Sequence, residues 1–145
     1  MAGTVRVSGG GVMNQGGVII VDDSSDDREL VARQLTRLGA EVRSCSSALE
    51  VLALVRQGWG SVLLTDLHMP GMDGIMLSRS VCQLRPELTV ILMSGALTDD
   101  SRHAAHRAGI AMTVDKPLTD EVLQVVARMG AWQDLRDQRR HAFGY

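Results

Sequence analysis

Val18, Ile19, Ile20 and Val21 form an unbroken apolar run, β-branched throughout, that ends at Asp22 and Asp23. A short run without polar alternation fits a strand covered on both faces. The same pattern recurs along the chain. Val62, Leu63 and Leu64 lead to Thr65 and Asp66, and Val90, Ile91, Leu92 and Met93 lead to Ser94 and Gly95. Residues 110–114 form a last apolar segment, closed by Asp115, Lys116 and Pro117. Residues 41–45 read as a more polar strand, which belongs at a sheet edge.

Helical spacing fills the intervals. Ser24 or Ser25 offers an N-cap, Asp26 and Asp27 suit the positive end of a helix, and Leu30, Val31, Gln34, Leu35 and Leu38 follow before Gly39. Ala48, Leu49, Leu52 and Val55 predict a helix ending near Gly58. Residues 73–84 predict another, with Ile75, Leu77, Val81 and Leu84 as apolar positions. Residues 98–108 give a weakly apolar helix stopped by Gly109, and Val122, Leu123, Val125, Val126 and Met129 give the last one its apolar face. Asp73 and Gly74 read as turn and cap residues.

Five strands alternating with five helices require a doubly wound α/β fold: a parallel five-stranded sheet covered on both faces by right-handed crossovers. In such sheets ligands sit outside the carboxyl ends of the strands. The residues closing the strands are therefore the candidates: Asp22, Asp23, Asp66, Ser94 and Lys116. Three converging carboxylates repel one another unless a cation joins them. Mg²⁺ suits such a place, since it takes oxygen ligands and few carboxylates. Lys116 offers a point charge for a phosphoryl oxygen and Ser94 a hydroxyl, while backbone N–H groups after Asp66 can cradle an anion. Together these are the parts of in-line phosphoryl transfer to an aspartate.

Asp22-Asp23, the segment Thr65-Asp66-Leu67-His68-Met69-Pro70-Gly71-Met72-Asp73-Gly74, Met93-Ser94-Gly95 and Asp115-Lys116-Pro117 resemble, in this order, the receiver domains of two-component response regulators. The resemblance covers residues 17 to about 129. It implies a flavodoxin-like sheet of order 2-1-3-4-5, with Asp66 as phosphoacceptor. Asp22, Asp23, Asp66 and the backbone carbonyl of His68 would hold Mg²⁺, and Ser94 and Lys116 would bind the phosphoryl group. Pro117 would follow Lys116 through a cis peptide bond. The His68 side chain, two residues after Asp66, would tune phosphoryl hydrolysis. The implied partners are a histidine kinase or histidine phosphotransfer protein upstream, and a protein partner or second copy downstream, bound through residues 98–129.

Two positions depart from the family pattern. Where receivers usually carry a switch Tyr or Phe, three residues before the lysine, this chain has Thr113; its one Phe and one Tyr are Phe143 and Tyr145. Gly95 replaces the usual Ala after the serine. Phosphorylation chemistry should survive these changes, whereas the usual route from phosphate to output surface is missing. A receiver fold used for phosphorylation-independent binding is the alternative reading. A haloacid-dehalogenase-like phosphatase is disfavoured, because such enzymes want Asp where His68 stands.

Composition narrows the rest. The net charge of -2 gives no basic excess for direct DNA binding. No apolar run approaches a membrane span, and no signal-peptide pattern opens the chain, so a cytoplasmic location is expected. Cys45 and Cys82 lack metal-ligand spacing and read as reduced, partly buried thiols. His103 and His106 read as a solvated helix face. Residues 1–16, rich in Gly, are expected to form a flexible leader or linker, and residues 130–145 a tail or helix extension in which Trp132 packs on the domain. A stand-alone regulator and the receiver part of a hybrid kinase or longer regulator both fit.

Overall fold

The computed structural model describes residues 16–142, with side chains as far as Ala131. Residues 1–15 of the leader expected over residues 1–16, the packing of Trp132, and Phe143 and Tyr145 lie outside the described residues or side chains. The order is β1 (Val18–Val21), α1 (Ser25–Arg37), β2 (Val42–Cys45), α2 (Ala48–Arg56), β3 (Val62–Asp66), α3 (Gly74–Leu84), β4 (Thr89–Ser94), α4 (Asp99–Arg107), β5 (Met112–Asp115) and α5 (Asp120–Ala142). All strand pairs are parallel, in the order β2-β1-β3-β4-β5.

The unbroken apolar runs have a direct cause. Successive side chains on a strand point to opposite faces, and here both faces are covered. Ile19, Val21, Leu63, Val90 and Leu92 pack with Val51, Val55, Leu77, Val81 and Ala105, on the side of α2, α3 and α4. Val18, Ile20, Val62, Leu64, Ile91 and Met93 pack with Leu35, Leu123 and Val126, on the side of α1 and α5. β2 lies at the edge, and only Cys45 of its four residues is buried.

Ser24, rather than Ser25, caps α1, with its side chain accepting from the Asp27 N–H. Asp73 caps α3, accepting from the Met76 N–H at 2.8 Å. β5 begins two residues later than the sequence predicts. Gly109 N–H donates to the His106 carbonyl and Ile110 N–H to the Ala105 carbonyl, so both residues close α4 instead. Gly109 has φ +88°, the left-handed conformation this ending requires.

Several expected apolar positions face outward. Leu49 is 76% exposed, because Val51, Leu52 and Val55 take the inward face and Leu49 lies about 200° round the helix from Val51. Leu30, Leu38 and Leu84 are also exposed, and Leu35 alone anchors α1 as a fully buried residue. The last helix passes Met129 without a break and runs to Ala142. Gly130 lies beside Gly17 and Val18, and its carbonyl accepts from Ser61 Oγ at 3.1 Å.

Candidate functional site

The site stands at the carboxyl edge of the sheet, where strand order reverses between β1 and β3. Val21 pairs with Thr65 in the ladder, so the residues that follow them, Asp22 and Asp66, emerge side by side. Asp22 is 1% exposed and Asp66 7% exposed, whereas Asp23 is exposed. One carboxylate oxygen from each of Asp22, Asp23 and Asp66 lies within 4.8 Å of the others.

Asp22 is held from several directions. Its Oδ1 accepts from the Ser24 N–H at 3.0 Å, and its carbonyl accepts from an Arg28 guanidinium nitrogen at 2.7 Å. Asp66 is placed by β3 and by the start of α3, where Gly74 N–H donates to the Leu67 carbonyl at 2.8 Å. Leu67 N–H in turn donates to the Met93 carbonyl at 3.0 Å, tying the loop to β4.

Lys116 reaches the same point from β5. Ser94 pairs with Asp115, and the Lys116 N–H donates to the Ser94 carbonyl at 2.9 Å. The peptide bond from Lys116 to Pro117 is cis. Lys116 Nζ lies 2.8 Å from Asp22 Oδ2, 3.4 Å from Asp66 Oδ2 and 3.8 Å from Asp27 Oδ2. Ser94, 1% exposed, ends β4 at the same edge, and its Oγ accepts from the Ala96 N–H at 3.1 Å. Asp27, Lys116, Leu30, Val31, Pro117 and Leu118 help to line a cavity of about 350 Å³ beside these carboxylates.

The electrostatics follow from the packing. Burial raises Asp66 above the usual carboxylate range and the neighbouring Asp22 charge adds to this, while Lys116 and a hydrogen bond from the His68 backbone oppose it. Burial works against the charge on Lys116, but its hydrogen bond to Asp22 and the nearby Asp66 outweigh that, and its pKa is raised. The donor set is all oxygen and carries more negative charge than one ammonium neutralises, so the three aspartates fit a small divalent cation such as Mg²⁺.

Not every candidate joins the cluster. His68 is exposed on the loop after β3. Thr113 lies on β5 facing α4, where its Oγ1 accepts from Arg102 at 3.4 Å. His103 and His106 are exposed on α4. Cys45 and Cys82 are free thiols, with Cys45 pushed up to about 12 by burial and then by Glu50. Sequence reasoning did not single out Arg28, and it read Asp27 only as suiting the positive end of α1, missing its approach to Lys116. It also missed the tight fit at Gly74, where a Cβ would run into the Asp66 carbonyl oxygen.

This fold and this acidic site define a class of signalling proteins, the receivers, and the comparisons agree. The family model described as "Response regulator receiver domain" matches residues 18–128, and the chain belongs to that family. It is 34% identical over 131 residues to the DNA-binding transcriptional regulator NtrC of Klebsiella pneumoniae, covering 90% of this chain and 28% of that protein. It is likewise 34% identical over 100 residues to a response regulator receiver protein of Anaeromyxobacter sp., covering 69% of this chain and 42% of that one. Among solved structures, the receiver domain of NtrX from Brucella abortus matches with a TM-score of 0.71 at 30% identity, covering 78% of this chain and 96% of that one. A CheY-like receiver domain protein from Methanospirillum hungatei shares the fold, with a TM-score of 0.75 over 84% of this chain and 98% of its own at 24% identity. The chain thus spans about a quarter of the NtrC proteins it matches, and their DNA-binding description belongs to those whole proteins. Among the described residues, no helix is long and apolar enough to cross a membrane.

Proposed function

We propose that the chain accepts a phosphoryl group on Asp66 from the phosphohistidine of a histidine kinase or histidine phosphotransfer protein. The carrying observation is the convergence of Asp22, Asp23 and Asp66 within 4.8 Å, with Lys116 Nζ 3.4 Å from Asp66 Oδ2. In this reading an Asp66 oxygen forms the new P–O bond as the donor's P–N bond breaks, and the imidazole leaves with the electron pair. Lys116 exchanges its contact with Asp66 for one with a phosphoryl oxygen, and Ser94 Oγ supplies a hydrogen bond. Mg²⁺, held by Asp22, Asp23, Asp66 and the His68 carbonyl, would neutralise charge on the phosphoryl oxygens. Arg28 and the Ser24 N–H hold Asp22 in place for that role.

Output is a change in protein–protein contact through residues 98–129, where α4, β5 and the start of α5 are tied by the backbone to Ser94 and Lys116. Intact mass after incubation with acetyl phosphate and Mg²⁺ tests the chemistry. One phosphoryl adduct is expected on the wild-type chain and none on Asp66→Asn or without Mg²⁺. An unmodified wild-type chain, with a histidine-kinase donor as well, would refute it.

One observation favours a second reading. Thr113 stands where the family's switch aromatic would be, and Arg102 bonds it at the surface. A receiver fold that binds its partner regardless of phosphate fits that arrangement. Partner affinity unchanged by beryllofluoride, an acyl-phosphate mimic, would favour it.

A further inference from the structure

Lys116 has a third carboxylate neighbour besides the two buried ones. Asp27 lies on the first turn of α1, its side chain 58% exposed, with Oδ2 3.8 Å from Lys116 Nζ. Asp22 and Asp66 are buried within the acidic cluster, and Asp27 stands outside it. It shares a cavity wall with Lys116, Pro117 and Leu118. A negative charge there has two effects of the same sign. It repels an anion approaching Lys116, and it competes with that anion for the ammonium.

We propose that Asp27 is a specificity-determining residue that selects against small, highly charged phosphodonors. This rests on Asp66 being the phosphoacceptor. Acetyl phosphate is a dianion near neutral pH and meets the full repulsion. Phosphoramidate, largely a monoanion under the same conditions, meets less of it. In the first case the P–O bond to acetate breaks, acetate leaves with the electron pair, and a P–O bond to Asp66 forms. In the second the P–N bond breaks and nitrogen leaves as ammonia after taking up a proton. Asp27 takes part in neither bond change; it sets how readily the donor's phosphoryl oxygens reach Lys116.

The test compares the wild-type protein with Asp27→Asn, Asp27→Glu and, as a control on the same turn, Asp26→Asn, all with saturating Mg²⁺. Phosphoryl uptake is followed by intact mass against donor concentration, at low and high salt. Asp27→Asn is expected to take up phosphoryl from acetyl phosphate about threefold to tenfold faster at low salt, mainly through a lower half-saturating concentration. The gain with phosphoramidate is smaller, high salt shrinks both gains, Asp27→Glu restores wild-type selectivity, and Asp26→Asn changes less than Asp27→Asn. Equal uptake by wild type and Asp27→Asn, or an equal gain for both donors that persists in high salt, overturns the inference while leaving Asp66 as acceptor. A wild-type chain that takes phosphoryl from neither donor, and from no histidine-kinase donor either, removes the underlying reading and the inference with it.

Discussion

Gly74 opens α3 against the backbone of Asp66, so closely that a Cβ at Gly74 would collide with the Asp66 carbonyl oxygen and press on Leu92. The obstacle is backbone, which cannot rotate aside as a side chain can. Gly74→Ala is therefore expected to cost about 1–3 kcal/mol of stability, the usual range for overpacking, and to slow phosphoryl uptake by shifting Asp66. Urea unfolding and intact mass check the two effects. Wild-type values in both would mean that α3 can move away from β3 at little cost.

Asp66→Asn should stabilise the metal-free protein. Burial and the Asp22 charge raise the Asp66 pKa despite Lys116. The native state then holds this proton more tightly than the unfolded chain does. The residue's contribution to stability is present below the unfolded pKa and is lost as pH rises through the folded value. Near neutral pH the ionised Asp66 is thus a liability that Asn removes. In EDTA the variant is expected to melt a few degrees higher than wild type, with the gap closing below about pH 4. Mg²⁺ should stabilise wild type more than the variant. A variant that melts lower than wild type in EDTA would show that the Lys116 contact dominates.

The strands and the acidic site were legible because each depends on short local patterns. A doubly covered strand must be apolar throughout, as Val18 to Val21 and Val90 to Met93 are, and the residue that ends it must lie at the sheet's carboxyl edge. That rule places Asp22, Asp66, Ser94 and Lys116 together without any distance being known. What was not legible depends on separation in space. Nothing near Leu49 in sequence says that Val51 takes the inward face. Nothing local distinguishes Asp27, 3.8 Å from Lys116, from Asp26 beside it. Gly74 reads as a helix start, and its tight fit appears only once α3 is docked on β3.

Lys116→Ala should have the opposite sign to Asp66→Asn. Lys116 Nζ is 2.8 Å from Asp22 Oδ2, and Asp22 is 1% exposed. Removing the ammonium leaves a buried carboxylate without its counter-charge, a loss of about 3–5 kcal/mol where both partners are buried and less here, because Lys116 is partly exposed. Adding Asp66→Asn to Lys116→Ala should recover part of that loss, since neighbouring charges do not act additively. Mg²⁺ should also restore part of it. Urea titrations with EDTA and with Mg²⁺ give all these comparisons. If the double variant is no more stable than Lys116→Ala, charge repulsion is not what Lys116 relieves.

At the other end of the sheet, Arg85 is buried and holds the chain just before β3. Its guanidinium donates to the carbonyls of Trp59 at 2.9 Å and Gly60 at 2.7 Å, and its Nε lies 3.1 Å from Glu87. Nothing local signals this, because a lone Arg after a helix reads as a solvated end. Arg85→Ala leaves two carbonyls short of a donor and is expected to cost about 2–4 kcal/mol. Arg85→Lys should not restore it, because a single ammonium lacks the planar fork that serves both carbonyls. Phosphoryl uptake per folded molecule should stay at the wild-type level in both variants, since this anchor lies away from the carboxyl edge. Unfolding by urea and intact mass after acetyl phosphate separate stability from chemistry. Full rescue by Lys would reduce Arg85 to a point charge paired with Glu87.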